Sequence, residues 1–307
     1  MAKQSHSFLS GRRGGIKPEV VKELPVPAPT TLMEHLMASL PDAKRTKIKQ
    51  YLAHNQVAVN GRPVRQFNHP ITSADSVKIN FTHEFKVFYN RRLKIVYEDN
   101  DIIVVNKGYG LLSMGNEKKS DGTAYSILKE YVKWSDPKNK IFIVHRLDRD
   151  TSGLMMFAKT MEAKERMQHN WNNMVINRTY VAVVEGEVTP PDGTVRSYLV
   201  ENSQYEVYST DDPAKGRLAV TRYKTLQGNG KFSLMEVELD TGRKNQIRVH
   251  FKDLGHPISG DRKYGAEASP LHRLALHART LKFVHPITGK LMDFSTDIPA
   301  GFSRITR

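Results

Sequence analysis

Apolar residues recur at two periods along this chain of 307 residues, and the switches between them outline its elements. Leu32, Met33, Leu36, Met37 and Leu40 fall at helical spacing behind Thr30 and Thr31, either of which can cap a first turn. Ile48, Tyr51 and Leu52 mark a second helix whose polar positions carry Lys44, Arg45, Lys47 and Lys49. The period then drops to two on either side of Asn60 and Gly61, a pair that favours a tight hairpin turn, with Arg62 on the returning strand. Residues 93–107 predict strand, turn, strand, with the turn over 98–101. Strands are also predicted at 141–144, 154–158, 178–186 and 235–239. A helix is predicted at 161–173, another within 240–251, and a short helix followed by a strand over 274–286.

Proline, glycine and aspartate break the pattern at residues 1–30, 190–215 and 255–265, predicting an arm, a surface excursion and a turn-rich loop. The organisation expected is a flexible basic arm at 1–30, a small α/β domain at 31–85 and a larger domain at 86–307. The larger one reads as α+β, a mixed and largely antiparallel sheet with flanking helices, because strands do not alternate regularly with helices as a βαβ array requires.

Charge narrows the partner. Forty-seven Lys and Arg against 32 Asp and Glu give a formal net charge of +15, and such a field draws polyanions. There is no apolar run of transmembrane length and no apolar segment of signal-peptide type at the start, so nucleic acid in the cytoplasm is expected rather than a membrane surface. The absence of cysteine excludes disulfides and thiolate chemistry. No phosphate-cradling glycine loop occurs, and the spacings of His250, His256, His272 and His277 fit no metal site, so neither metal nor cofactor is expected. Carboxylate, tyrosine and arginine chemistry remains.

The densest polar stretch lies between the apolar runs at 141–144 and 154–158. It holds His145, Arg146, Asp148, Arg149, Asp150, Thr151, Ser152 and Gly153. Local physics supports two readings, a functional loop on a rigid scaffold and a turn whose carboxylates bond only their own backbone.

The order His145-Arg146-Leu147-Asp148, followed by Thr151-Ser152-Gly153-Leu154, resembles the signature of the RluA family of pseudouridine synthases. The resemblance implies an isomerase that converts particular uridines in RNA to pseudouridine, with Asp148 as its essential residue, as nucleophile or as base. It extends to Arg248, in the motif spelled Gly242-Arg243-Lys244-Asn245-Gln246-Ile247-Arg248, as the cation paired with Asp148. It also extends to Tyr180 as the residue that serves the base. Arg146 would fill the gap left by a flipped nucleotide. The pattern at 47–64 is similar to the S-four-type RNA-binding domain, which implies RNA contacts through Lys44, Arg45, Lys47, Lys49 and Arg62. Two departures stand out: Asn245 occupies a position where the family commonly has His, and Gly108 one where it usually has Pro. Ribosomal RNA of the large subunit is the substrate favoured, with transfer RNA the alternative, and the protein is expected to act as a monomer. An arginine beside Asp148 should hold its carboxyl below the ordinary range. Two rival readings are a non-catalytic RNA-binding protein and a nucleoside glycosidase.

Overall fold

A computed structural model describes residues 20–115, 121–134 and 136–307. The chain divides between Phe88 and Tyr89 into two units.

The smaller unit is a four-stranded antiparallel sheet in the order Val21–Pro25, Ser76–Asn80, Val57–Val59, Arg62–Pro63, with helices Leu32–Ser39 and Arg45–Ala53. Thr31 caps the first helix: its hydroxyl accepts from the Glu34 amide, and the Glu34 carboxylate accepts from the Thr31 amide at 3.2 Å. Leu32, Leu36, Ile48, Leu52, Val77 and Ile79 form the buried core. Asn60 and Gly61 both take positive φ (52° and 77°), the geometry of a two-residue hairpin turn. One boundary needs correction. Residues 1–19 of the expected arm lie outside the described residues, but Val21–Pro25 is a strand paired along its length with Ser76–Asn80. Pro25, Pro27 and Pro29 obscured it, yet an edge strand tolerates a proline at its end.

The larger unit is built on an eleven-stranded sheet. At its centre, Ser152–Ala158 lies between Ile102–Lys107 and Leu276–Val284, and Val175–Glu185 follows on the far side of the latter. Among the described residues every pairing in this sheet is antiparallel except one: Ser152 and Gly153 run parallel to His277 and Ala278. All seven residues of Ser152–Ala158 are buried, so the strand reads as a continuous apolar run instead of an alternating one. Helix Met161–His169 covers one face, packing Ala163 and Met167 against Ile102, Val104, Met156 and Phe283.

Four expectations change here. The excursion at 190–215 is instead two strands, Asp192–Glu201 and Val207–Thr210, extending the sheet through Arg217–Gly228. Exposed Asp192, Thr194 and Arg196 alternate with half-buried neighbours, which leaves no apolar signature. The short helix expected near residue 274 is absent, since Leu276–Val284 is a strand throughout. Leu274, Ala275, Leu276 and Ala278 are buried on both faces and so mimic a helical run. The helix expected at 161–173 breaks at Asn170 into Met161–His169 and Trp171–Met174. The strand expected at 141–144 is reduced to Phe142–Ile143.

Candidate active site

The 144–151 loop connects two strands that pair with each other, with Ile143 opposite Phe157. Gly153 (φ 116°) returns the chain to the sheet. A Cβ there would lie 2.1 Å from the Ala278 carbonyl oxygen, so only glycine allows the parallel crossing. His145 points into the body of the unit. Its Nε2 accepts the Met156 amide at 3.0 Å and its ring packs 5.0 Å from that of Trp171. Burial, helped by the charge of Arg178, pushes its pKa to about 3, so it is a neutral structural acceptor.

Both neighbours of Asp148 are clamped. The Ser113 hydroxyl donates to the Leu147 carbonyl (2.6 Å) and accepts from the Leu147 amide (3.1 Å). Lys107, fully buried, donates to the carbonyls of Leu111 (2.7 Å), Gly108 (3.1 Å) and Arg149 (3.1 Å). Burial pulls the Lys107 ammonium down to about 8, against the attraction of Asp148 and Asp150. Neither clamp was legible in sequence, because a lysine ending a strand looks like a solvated one. Gly108 and Gly110 shape the same turn, the Gly108 amide donating to the Arg92 carbonyl.

Four residues singled out in the sequence line one small pocket: Arg146, Asp148, Tyr180 and Arg248, with Arg178 and Asn245 beside them. Arg248 Nη1 lies 3.7 Å from Asp148 Oδ2. This is contact without a hydrogen bond, and the principal partner of Arg248 is a residue with no sequence signature. Asp261, 2% exposed, accepts from Arg248 Nε at 2.6 Å and Nη2 at 2.7 Å. That forked pair turns Nη1 toward Asp148 and the Asn245 carbonyl oxygen (3.0 Å).

The expectation that Asp148 lies below the ordinary carboxylate range is corrected, although Arg248 does pull it down. Burial raises it and outweighs the pull of Arg248, Arg146 and Lys107, while Asp261 adds a like charge on the same side. Tyr180, on Val175–Glu185, is 7% exposed, and burial likewise raises its phenol so that it keeps its proton.

Arg248 sits in helix Gln246–Asp253, whose start is fastened to the sheet. The Gln246 side chain accepts from Thr241 Oγ1 and the Arg243 amide, and donates to the Val220 carbonyl and Thr221 Oγ1. Asn245 precedes the helix in the left-handed region (φ 55°) and donates to the Tyr264 hydroxyl at 2.9 Å. Asn245 is therefore a strut between Arg248 and Tyr264. Asp150 pairs with exposed Arg149.

Two of the histidines are bound at both ring nitrogens by hydroxyls. His250 bridges Ser197 and Thr221, and His277 bridges Ser152 and Thr296. Burial pushes both to about 4. Asp99, Asp101 and His285 bring ligand-type atoms within 4.8 Å of one another. There His285 Nδ1 accepts the Ile287 and Thr288 amides, leaving its Nε2–H to donate to Asp99. In the smaller unit Lys44, Arg45, Lys47 and Lys49 are exposed on or beside helix Arg45–Ala53, and Arg62 is half-buried in the hairpin. No helix among the described residues is long and apolar enough to cross a membrane.

The pattern of the RNA pseudouridylate synthase family matches residues 101–253, the stretch that carries Asp148, Tyr180 and Arg248. The chain is 33% identical over 270 residues to the uncharacterised RNA pseudouridine synthase YhcT of Bacillus subtilis, covering 86% of this chain and 89% of the relative. It belongs to the RluA family of RNA pseudouridine synthases. This synthase is also 33% identical over 285 residues to the ribosomal large subunit pseudouridine synthase D of Escherichia coli K12, covering 87% of each chain. Among solved structures, human RNA pseudouridylate synthase domain containing 4 superposes with a TM-score of 0.56 at 25% identity, over 68% of this chain and 90% of that one. The enzyme is thus an isomerase acting on uridine in RNA, built on the family's mixed sheet.

Proposed function

We propose that this synthase modifies uridine in large-subunit ribosomal RNA, with Asp148 as the essential group and Tyr180, Arg248 and Arg146 as its partners. The observation that carries the assignment of roles is the single pocket lined by all four. In the isomerisation the N1–C1′ bond breaks, the base turns, a C5–C1′ bond forms, the C5 proton leaves and N1 gains one. Cleavage develops positive character at C1′, which a carboxylate stabilises or captures. Asp148, held at both neighbours by Ser113 and Lys107, supplies that negative charge at a fixed place. Its partial burial keeps water, the competing nucleophile, scarce.

Tyr180 keeps its proton and presents a ring to the detached base, with its hydroxyl placed to hydrogen-bond the base while the C5 proton is passed on. Arg248, held by Asp261, faces Asp148 with one nitrogen while leaving the carboxylate oxygens available. Reaching the pocket requires the uridine to leave its stack. Arg146, exposed at the pocket wall, is placed to occupy the gap. In the smaller unit the cations of helix Arg45–Ala53 and Arg62 act as an S-four-type RNA contact. The relatives named for large-subunit ribosomal RNA favour that substrate, and the reading places the enzyme in the cytoplasm.

Incubating purified protein with unmodified large-subunit ribosomal RNA and, separately, with unmodified transfer RNA tests the substrate. Mapped pseudouridines are expected in the ribosomal RNA alone, and modification confined to transfer RNA refutes the assignment.

A further inference from the structure

A second concavity of the catalytic unit is larger than the pocket at Asp148. This groove of about 510 Å³ is lined among others by Glu206, Tyr208, Lys252, Arg262, Lys263 and Tyr264. Lys252, Arg262 and Lys263 are exposed, and none forms an ion pair with a described residue. Other cations of the unit are paired individually, Arg222 with Asp240, Lys244 with Glu201 and Lys282 with Asp293. Three uncompensated cations around one concave surface, against the lone carboxylate of Glu206, make a site for a polyanion.

The groove and the catalytic pocket share a wall one residue thick. The Tyr264 ring lies 4.8 Å from the Arg248 guanidinium, and its hydroxyl accepts from Asn245. Both partners line the Asp148 pocket, and Tyr264 itself lines the groove. A strand delivering one nucleotide to the pocket has its next nucleotides beside that wall. Tyr208, 46% exposed on the groove, offers a ring face to an unstacked base. Lys263 holds the adjacent turn, donating to the Tyr205 carbonyl at 3.2 Å.

We propose that this groove binds the single RNA strand that continues from the flipped uridine, with its phosphates on Lys252, Arg262 and Lys263 and a base against Tyr208. The proposal rests on the Asp148 pocket being the uridine site. It adds a place on the catalytic unit that reads backbone and one neighbouring base, so the enzyme engages a segment rather than an isolated nucleoside.

The test uses RNA labelled with tritium at C5 of uridine, prepared from cells lacking this protein, so that it is indifferent to which RNA is the substrate. The triple variant Lys252→Gln, Arg262→Gln, Lys263→Gln is compared with Lys138→Gln, Lys140→Gln, Lys290→Gln, which removes equal charge from exposed positions outside both pockets. Each phosphate left without its cation flattens the log–log salt dependence by about 0.7 for a single strand, so the groove triple should lower the slope by about 2. Its KM should rise about tenfold or more at moderate salt, with kcat at saturation within about twofold. Tyr208→Ala should raise KM by about fivefold or more without changing the slope. The control triple should move neither quantity as far. Equal effects from the two triples overturn the groove, because only general charge is then at work. A collapse of kcat in folded groove variants overturns it as well. Failure of the underlying pocket reading appears elsewhere, as activity retained by Asp148→Asn.

Discussion

Asp148 is held against its own electrostatic preference. Burial raises its carboxyl, and the role proposed for it needs the ionised form, so the acidic limb of the kcat/KM profile is expected above the ordinary carboxylate range of about 4. The stability consequence has the opposite sense. A carboxyl whose folded pKa exceeds its unfolded value favours the native state below the unfolded pKa and loses that contribution as pH rises through the folded one. Asp148→Asn should therefore raise Tm at neutral pH. Each kcal/mol appears as roughly 2–4 °C in a chain of this size, and the gain should vanish below about pH 4. Thermal melts at the two pH values check it; an equal shift at both would contradict the electrostatic origin. The Arg248–Asp261 pair behaves differently. Arg248→Ala leaves the Asp261 carboxylate 2% exposed and unpaired, at a cost of about 3–5 kcal/mol. Adding Asp261→Ala should restore most of the stability and none of the activity, and denaturant melts of both variants separate the two effects.

At the scale of elements, Asp148 is placed by the clamps on its neighbours as much as by its own contacts. Ser113→Ala removes the hydroxyl that both donates to and accepts from Leu147, a loss of about 1–3 kcal/mol of local order. The expected result is a fall in kcat of about tenfold with RNA affinity unchanged, read by single-turnover kinetics beside filter binding. What sequence could reveal follows the same line. The loop that carries Asp148, the hairpin at Asn60-Gly61 and the helix that carries Arg248 were legible because turn chemistry and period are local. The strand at Asp192–Glu201 and the first residues of Leu276–Val284 were not, since one has a polar, half-exposed pattern and the other starts buried on both faces and so mimics a helical turn. Lys107, Ser113 and Asp261 have no local signature for a different reason. The partners through which they hold the Asp148 loop and Arg248 (Arg149, Leu147 and Arg248) lie 42, 34 and 13 residues away in the chain, and no short-range pattern encodes such pairings.

Across the whole molecule the formal charge of +15 is spread over two units whose contacts with RNA should differ. Lys44, Arg45, Lys47 and Lys49 project from one short helix of the smaller unit, away from its core at Ile48 and Leu52. Replacing all four by Gln should weaken binding to structured RNA and flatten its salt slope by about 0.9 for each duplex phosphate that is no longer neutralised. Turnover at saturating RNA should be preserved, since none of the four lines the Asp148 pocket. Unchanged affinity and slope in a folded variant would remove the smaller unit from RNA recognition.

The central claim is that a single carboxylate, Asp148, carries the isomerisation. Asp148→Asn keeps the shape of the side chain and removes its charge. With RNA labelled by tritium at C5 of uridine, the folded variant should bind as the parent does and release no tritium above background. Appreciable release by this variant would contradict the claim.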